Sequence, residues 1–153
     1  MSVTLNQPAP DFTLHNTEKQ PVTLSSLRGH KVVLYFFPAA FTGVCTKELC
    51  AVRDDLASYN SVNAKVFGIS TDTLFTLGKF KEEQGYNFDL LADYNKEVCN
   101  LYGTQYDDFV FGMKGTAKRS AFVIDENGIV KYAQVNESAG DLPDFDAVKA
   151  ALA

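Results

Sequence analysis

Residues 31–37 read KVVLYFF, a run of β-branched and aromatic residues with no charge after Lys31. A continuous apolar run of this kind is buried on both faces, which places it in the middle of a sheet with a layer on either side. Pro38 ends the run, because its ring fixes φ and removes a ladder donor. Beyond it, Cys45, Leu49, Val52, Leu56 and Tyr59 fall at i, i+4, i+7, i+11 and i+14. That spacing predicts one stripe of a helix from about Thr42 to Asn60. A buried strand feeding an amphipathic helix through a stiff turn restricts the chain to a layered α/β fold. The junction also sets a cysteine in the first helical turn. Unpaired N–H groups and the positive end of the helix dipole favour thiolate there, the reactive form of sulfur. Nucleophilic or redox sulfur chemistry is the first expectation.

The remaining segments continue the alternation. DFTLH and VTL, separated by NTEKQP, read as short N-terminal strands around a turn, and Ser25 or Ser26 caps a single turn before Arg28-Gly29. AKVFGIS (64–70) is a second buried strand, followed by a helix capped at Thr71 or Asp72 and stopped by Gly85. FDLLAD (88–93) is a strand and NKEVCNLYG (95–103) a helix ended by Gly103. Residues 119–135 form two strands around Asn127-Gly128, a hairpin signal, and a last helix starts near Pro143. No repeat or linker divides the chain, so residues 1–153 are expected to form one domain. Parallel crossovers followed by an antiparallel hairpin predict a central mixed β-sheet flanked by helices, with an N-terminal β-hairpin extension. The thioredoxin-like fold is of this kind.

Composition works mainly by exclusion. The 153 residues are 46% apolar and 22% charged, enough for a soluble domain with a real core. A net charge of −5, with no block of Lys or Arg, argues against a nucleic-acid or anionic-membrane binder. The apolar runs are far shorter than the about 18 residues of a membrane span. MSVTLNQPAP has no basic segment followed by an apolar run, so no signal peptide is expected and a cytoplasmic location is. Three cysteines, Cys45, Cys50 and Cys99, are too few and too odd for a secreted disulfide framework. His15 and His30 sit in polar, turn-like segments with no cysteine spaced to join them. No metal site is expected, and neither suggests the imidazole partner of a Cys-His hydrolase.

The spacing Pro38, Thr42, Cys45 (PxxxTxxC) resembles the active-site motif of the peroxiredoxins, thiol-dependent peroxidases of thioredoxin-like fold. The similarity extends to APDFTL (9–14), to the strand ending FFP, and to KRSAFVIDENGIV (118–130), which looks like the family's arginine-bearing strand. The resemblance implies that Cys45 is the peroxidatic cysteine, attacking the terminal peroxide oxygen to become a sulfenic acid. It implies that Thr42 hydrogen-bonds the peroxide, and that Arg119 lies beside the thiolate and stabilises charge as the O–O bond breaks. Pro38 would cover the pocket, the N–H groups of Val44 and Cys45 would complete the oxygen site, and Glu48 would orient the arginine. Phe41 and YDDFVFGMKG (106–115) read as the peroxide entrance or as a dimer contact. No metal, haem or flavin is implied, because sulfur carries the electrons. The implied partners are a peroxide, a thioredoxin-like or other dithiol reductant, and a second copy in a homodimer.

CTKELC followed by AVRDDL resembles the Q-type, or bacterioferritin-comigratory, members, in which a cysteine five residues on is the resolving thiol. FPAAFTGVC is also similar to E-type alkyl hydroperoxide reductases, which often lack it. Cys50 lies off the Cys45 stripe and reads either as the resolving thiol or as a half-buried bystander in a one-cysteine enzyme. Residues five apart on a helix have Cα atoms about 8–9 Å apart, whereas a disulfide needs them within about 7 Å. A Cys45–Cys50 bond therefore requires the first turns to unwind. Cys99 reads as a packed core cysteine, with an alternative resolving role as the second reading. Arg53, eight residues after Cys45, reads as a candidate second cation for the site, or as paired with Asp54, Asp55 or Glu48, or with nothing. Two other functions stay open: a thiol–disulfide oxidoreductase, disfavoured because those use CxxC, and a non-enzymatic peroxide sensor or chaperone built on the same sulfenic acid.

Overall fold

In the computed structural model, which describes residues 3–153, the KVVLYFF segment forms the strand Lys31–Phe36 near the centre of a seven-stranded sheet. The strands are β1 (Thr13–Asn16), β2 (Pro21–Thr23), β3 (Lys31–Phe36), β4 (Ala64–Ser70), β5 (Asp89–Ala92), β6 (Ser120–Ile124) and β7 (Val130–Val135). Their spatial order is β2-β1-β5-β4-β3-β6-β7. β3 runs parallel to β4 from Lys31↔Ala64 to Phe36↔Ile69, and β4 parallel to β5. β6 is antiparallel to β3, pairing Phe36 with Ser120, and β7 is antiparallel to β6. The N-terminal hairpin extends this sheet, since His15 of β1 pairs with Ala92 of β5.

Side chains alternate across β3 and divide the core in two. Val33, Tyr35 and Phe37 face a layer holding Cys45, Leu49, Leu77, Phe80 and Val148. Val32, Leu34 and Phe36 face the other layer, with Phe12, Leu24, Val98, Cys99 and Tyr102. The helices are α1 (Gly43–Asp54), α2 (Leu56–Asn60), α3 (Leu74–Gln84), α4 (Glu97–Leu101) and α5 (Phe145–Leu152).

Several boundaries differ from expectation, and each difference traces to a side chain. The helix expected over 42–60 is broken at Asp55, which leaves helical geometry at φ −116°, ψ 17°. Its carboxylate accepts from the Ser58 hydroxyl and pairs with Lys149 on α5, partners that compete with a continuous helix. α3 is capped not by Thr71 or Asp72 but by Thr73, whose hydroxyl accepts the Thr76 N–H. Asp72 instead accepts the Ala40 N–H at 2.9 Å and the Ser70 hydroxyl at 2.6 Å, tying the loop after β3 to the end of β4. The turn before Arg28 is a 3-10 turn over Leu24–Leu27 entered through Thr23, while the Ser25 N–H goes to Asp11 and the Ser26 hydroxyl to Thr23 O. Gly85 has left-handed φ 64° and ends α3 as expected.

Candidate active site

The site forms where β3 runs out. The Phe37 N–H still bonds Ile69 O at 2.9 Å, and Pro38 then turns the chain away from the sheet. Phe41 adopts φ 64°, a strained conformation for a bulky residue, and its ring packs on Phe80 at 5.0 Å. Thr42 is extended and occupies the cap position of α1. Its hydroxyl does not cap the helix; it donates to Ala39 O at 2.8 Å. Cys45 is thus the third residue of α1, and it is 1% exposed.

Because β6 is antiparallel to β3, it starts where β3 ends, and Arg119 arrives there just ahead of it. Arg119 is 1% exposed. Its Nη1 donates to Cys45 Sγ at 3.3 Å and to Glu48 Oε1 at 2.6 Å. Nε and Nη2 both donate to Ala139 O, at 3.2 and 2.9 Å. Glu48 lies three residues after Cys45 on the same helix and is fully buried, and its Oε2 has no partner. Burial pushes the Glu48 carboxyl up to about 7, against the opposing pull of the arginine charge and hydrogen bond. Burial also works against the guanidinium charge, but Glu48 and Cys45 outweigh it and hold Arg119 above its ordinary value. One cation therefore serves two buried acidic groups through one nitrogen.

Above the sulfur opens a cavity of about 400 Å³. Pro38, Thr42, Val44, Cys45 and Arg119 form one side, and Phe109, Val110, Phe111 and Met113 the other. Phe111 is 97% exposed at φ 57°, so an apolar rim stands in solvent around a buried charged floor.

The structure thus brings together Pro38, Thr42, Val44, Cys45 and Arg119, and places the 106–115 segment at the cavity mouth. Phe41 does not line the cavity; its left-handed backbone turns the ring toward Phe80. Glu48 does not line it either, lying behind the arginine instead. Cys50 is half-buried outside the cavity, its Sγ 3.7 Å from both Gln84 Oε1 and Tyr86 Oη. Cys99 belongs to the other core layer, so the sheet stands between it and Cys45. Arg53 pairs with Asp54 at 2.9 Å and donates to Gln84 O. Sequence reasoning missed Ala139 and Asp72. A backbone carbonyl acceptor such as Ala139 O leaves no signal in residue type, and Asp72 looked like an ordinary helix cap. Among the described residues no group of three or more His, Cys, Asp and Glu side chains could hold a metal ion, and no helix is long and apolar enough to cross a membrane.

The model of the AhpC/TSA family matches residues 5–133. The chain is a peroxiredoxin of this family. It is 39% identical over 131 residues to a putative peroxiredoxin, bcp, of Coxiella burnetii, covering 85% of this chain and 87% of the relative. The crystal structure of peroxidoxin BcpB from Mycobacterium tuberculosis superposes with a TM-score of 0.86 at 33% identity, covering 98% of this chain and 96% of that one. A structure of the bacterioferritin comigratory protein of Xanthomonas campestris, described in terms of its alkyl peroxide reduction activity, gives 0.82 at 27% identity, covering 92% and 89%. The thioredoxin-like peroxiredoxin fold and the enzyme class, a thiol peroxidase that reduces peroxides, follow from this membership.

Proposed function

We propose that Cys45 is the peroxidatic thiol and that it reduces hydrogen peroxide and small organic hydroperoxides. The observation that carries this reading is the Arg119 Nη1 contact to Cys45 Sγ, 3.3 Å long, at the floor of the cavity. A peroxide entering between Thr42 and Arg119 presents its terminal oxygen to the sulfur. The thiolate attacks that oxygen, the O–O bond breaks, and its electron pair leaves on the departing oxygen, which takes up a proton as water or alcohol. Sulfur is left as a sulfenic acid. Arg119 is already fixed by Ala139 O and Glu48, so charge developing on oxygen meets a donor that needs no reorganisation. Thr42 and the N–H groups of Val44 and Cys45 orient the peroxide, Pro38 shields the sulfur, and Glu48 holds the arginine.

Cys50 resolves the sulfenic acid as an intramolecular disulfide, and a thioredoxin-like dithiol in the cytoplasm reduces it. The apolar rim at Val110, Phe111 and Met113 suits a hydroperoxide with a small alkyl group, and its exposure also suits a homodimer contact. The test is peroxide consumption with a dithiol regenerant. Turnover should be lost in Cys45→Ser; activity persisting in that variant overturns the assignment. Mass mapping of the oxidised wild type and Cys50→Ser distinguishes an internal disulfide from resolution by an external thiol. A single stoichiometric oxidation without turnover under any reductant identifies a sensor instead.

A further inference from the structure

α1 carries a second stripe besides the one that faces the core. Thr46, Cys50 and Arg53 stand at i, i+4 and i+7, and all three meet residues 84–88, the last residue of α3 and the link that leads from it to β5. The Tyr86 hydroxyl donates to Thr46 O at 3.4 Å and lies 3.7 Å from Cys50 Sγ. Cys50 Sγ also meets Gln84 Oε1 at 3.7 Å, Arg53 Nη1 donates to Gln84 O at 2.5 Å, and Asn87 donates to Arg53 O at 3.3 Å. Tyr86 is buried, and its ring is held between Phe80 at 5.2 Å and Phe88 at 5.5 Å. The hydroxyl is thus delivered to α1 by a fixed aromatic cluster. Thr46 O is also the carbonyl to which a helix directs the N–H of residue 50.

We propose that the Tyr86 hydroxyl latches α1 in its helical state and so sets how a Cys45 sulfenic acid divides between disulfide and sulfinic acid. The proposal rests on Cys50 being the resolving thiol. Resolution needs Cys45 and Cys50 closer than helical spacing allows, so the Thr46–Cys50 turn must open and Cys50 must leave Tyr86 and Gln84. In that step the Cys50 sulfur attacks the Cys45 sulfur, the S–O bond breaks, and hydroxide leaves with a proton as water. The competing step keeps the helix intact: the sulfenate attacks a second peroxide, gains one oxygen as sulfinic acid, and releases water or alcohol. Every contact made only in the helical state slows the first step and leaves the second untouched. Tyr86 is a positioning residue, not a catalytic one, since it touches neither peroxide nor Cys45 in the cavity.

The test is Tyr86→Phe, which removes one oxygen. The chain has no tryptophan, so the reaction is followed by quenched flow, thiol alkylation and mass spectrometry. The loss of one hydrogen-bonding hydroxyl should speed disulfide formation about three- to tenfold. The sulfinic yield per turnover should fall by the same factor, with the peroxide reaction of Cys45 unchanged. Amide exchange over residues 44–50 of the reduced protein should rise in parallel. Tyr102→Phe removes a buried hydroxyl that donates to Pro10 O at 2.7 Å in the other core layer, and should leave the partition alone. Gln84→Ala should shift it in the same direction by less, and decides the matter if Tyr86→Phe fails to fold. Unchanged or slower disulfide formation overturns the latch, as does an equal shift in Tyr102→Phe. The underlying reading fails separately: Cys50→Ser would then leave the sulfenic acid as short-lived as in wild type.

Discussion

Cys45 and Cys99 occupy near-equivalent local positions, yet their charged surroundings are opposite. Each is the third residue of a helix, and each is almost wholly buried, at 1% and 0% exposure. Cys45 faces the Arg119 guanidinium. At Cys99 the helix-start N–H groups of Val98 and Cys99 are taken by the Asp93 carboxylate, at 3.1 and 2.8 Å. Burial, followed by the Asp93 charge, pushes the Cys99 thiol up to about 12. It remains a neutral donor to Lys96 O, a packing residue in all but name. A helix start is therefore not enough to make a sulfur reactive. At Cys99 burial and a negative neighbour act together to keep the thiol neutral, whereas Cys45 has a guanidinium beside it.

Removing each sulfur gives the largest contrast. Cys45→Ser should lower peroxide turnover about a thousandfold or more, the scale expected for loss of a nucleophile. Cys99→Ser should retain most of it, as steady-state peroxide consumption will show. Next comes the neighbour at the reactive site. Arg119→Met keeps bulk and removes the charge, and should cost about a hundred- to a thousandfold in kcat/KM, as loss of a preorganised donor does.

A third prediction concerns stability. The Glu48 carboxyl is raised in the folded protein to about 7 from an ordinary 4.5. A raised acid stabilises the fold fully below its unfolded value and loses that contribution as pH rises through the folded value. A shift of this size corresponds to about 3 kcal/mol, one pKa unit being about 1.4 kcal/mol. The resistance of the reduced wild type to urea should therefore fall between pH 5 and pH 8. Glu48→Gln, which cannot ionise, should flatten that slope. A slope unchanged in the variant would show that the carboxylate is held ionised by Arg119 throughout.

The smallest effect belongs to the silent cysteine. Asp93→Asn removes the negative charge beside Cys99 while keeping an acceptor for the helix start. Alkylation of Cys99 at pH 9 should rise several-fold and still lag far behind that of Cys45, with stability lower by about 1 kcal/mol. If Cys99 became as reactive as Cys45, burial would matter less than the comparison holds.

Much of this contrast was legible in the sequence because the reactive site is written in local spacing. KVVLYFF, Pro38, Thr42 and Cys45 follow one another along the chain, and the helical stripe after them fixes which way Cys45 faces. Arg119, 74 residues away, was found through family resemblance rather than through any local rule. What stayed hidden was whatever depends on a competing partner. Asp72 looked like a helix cap but serves the loop after β3, and Asp55 breaks a helix whose apolar stripe runs straight through it. Phe41 looked like part of the cavity until its positive φ turned it away. The Ala139 carbonyl had no side chain to announce it.

The bond from the Ala40 N–H to Asp72 has a kinetic consequence. It pins the chain just ahead of the reactive helix, and Arg53, held to Gln84 O, pins it again farther on. Whatever melts between these two points is a short strap moored at both ends, and such a strap gains little freedom when it loosens. On the proposal that Cys50 resolves Cys45, a reductant would meet a small moving part on a rigid mount, and the helix would rewind without any search by the rest of the molecule.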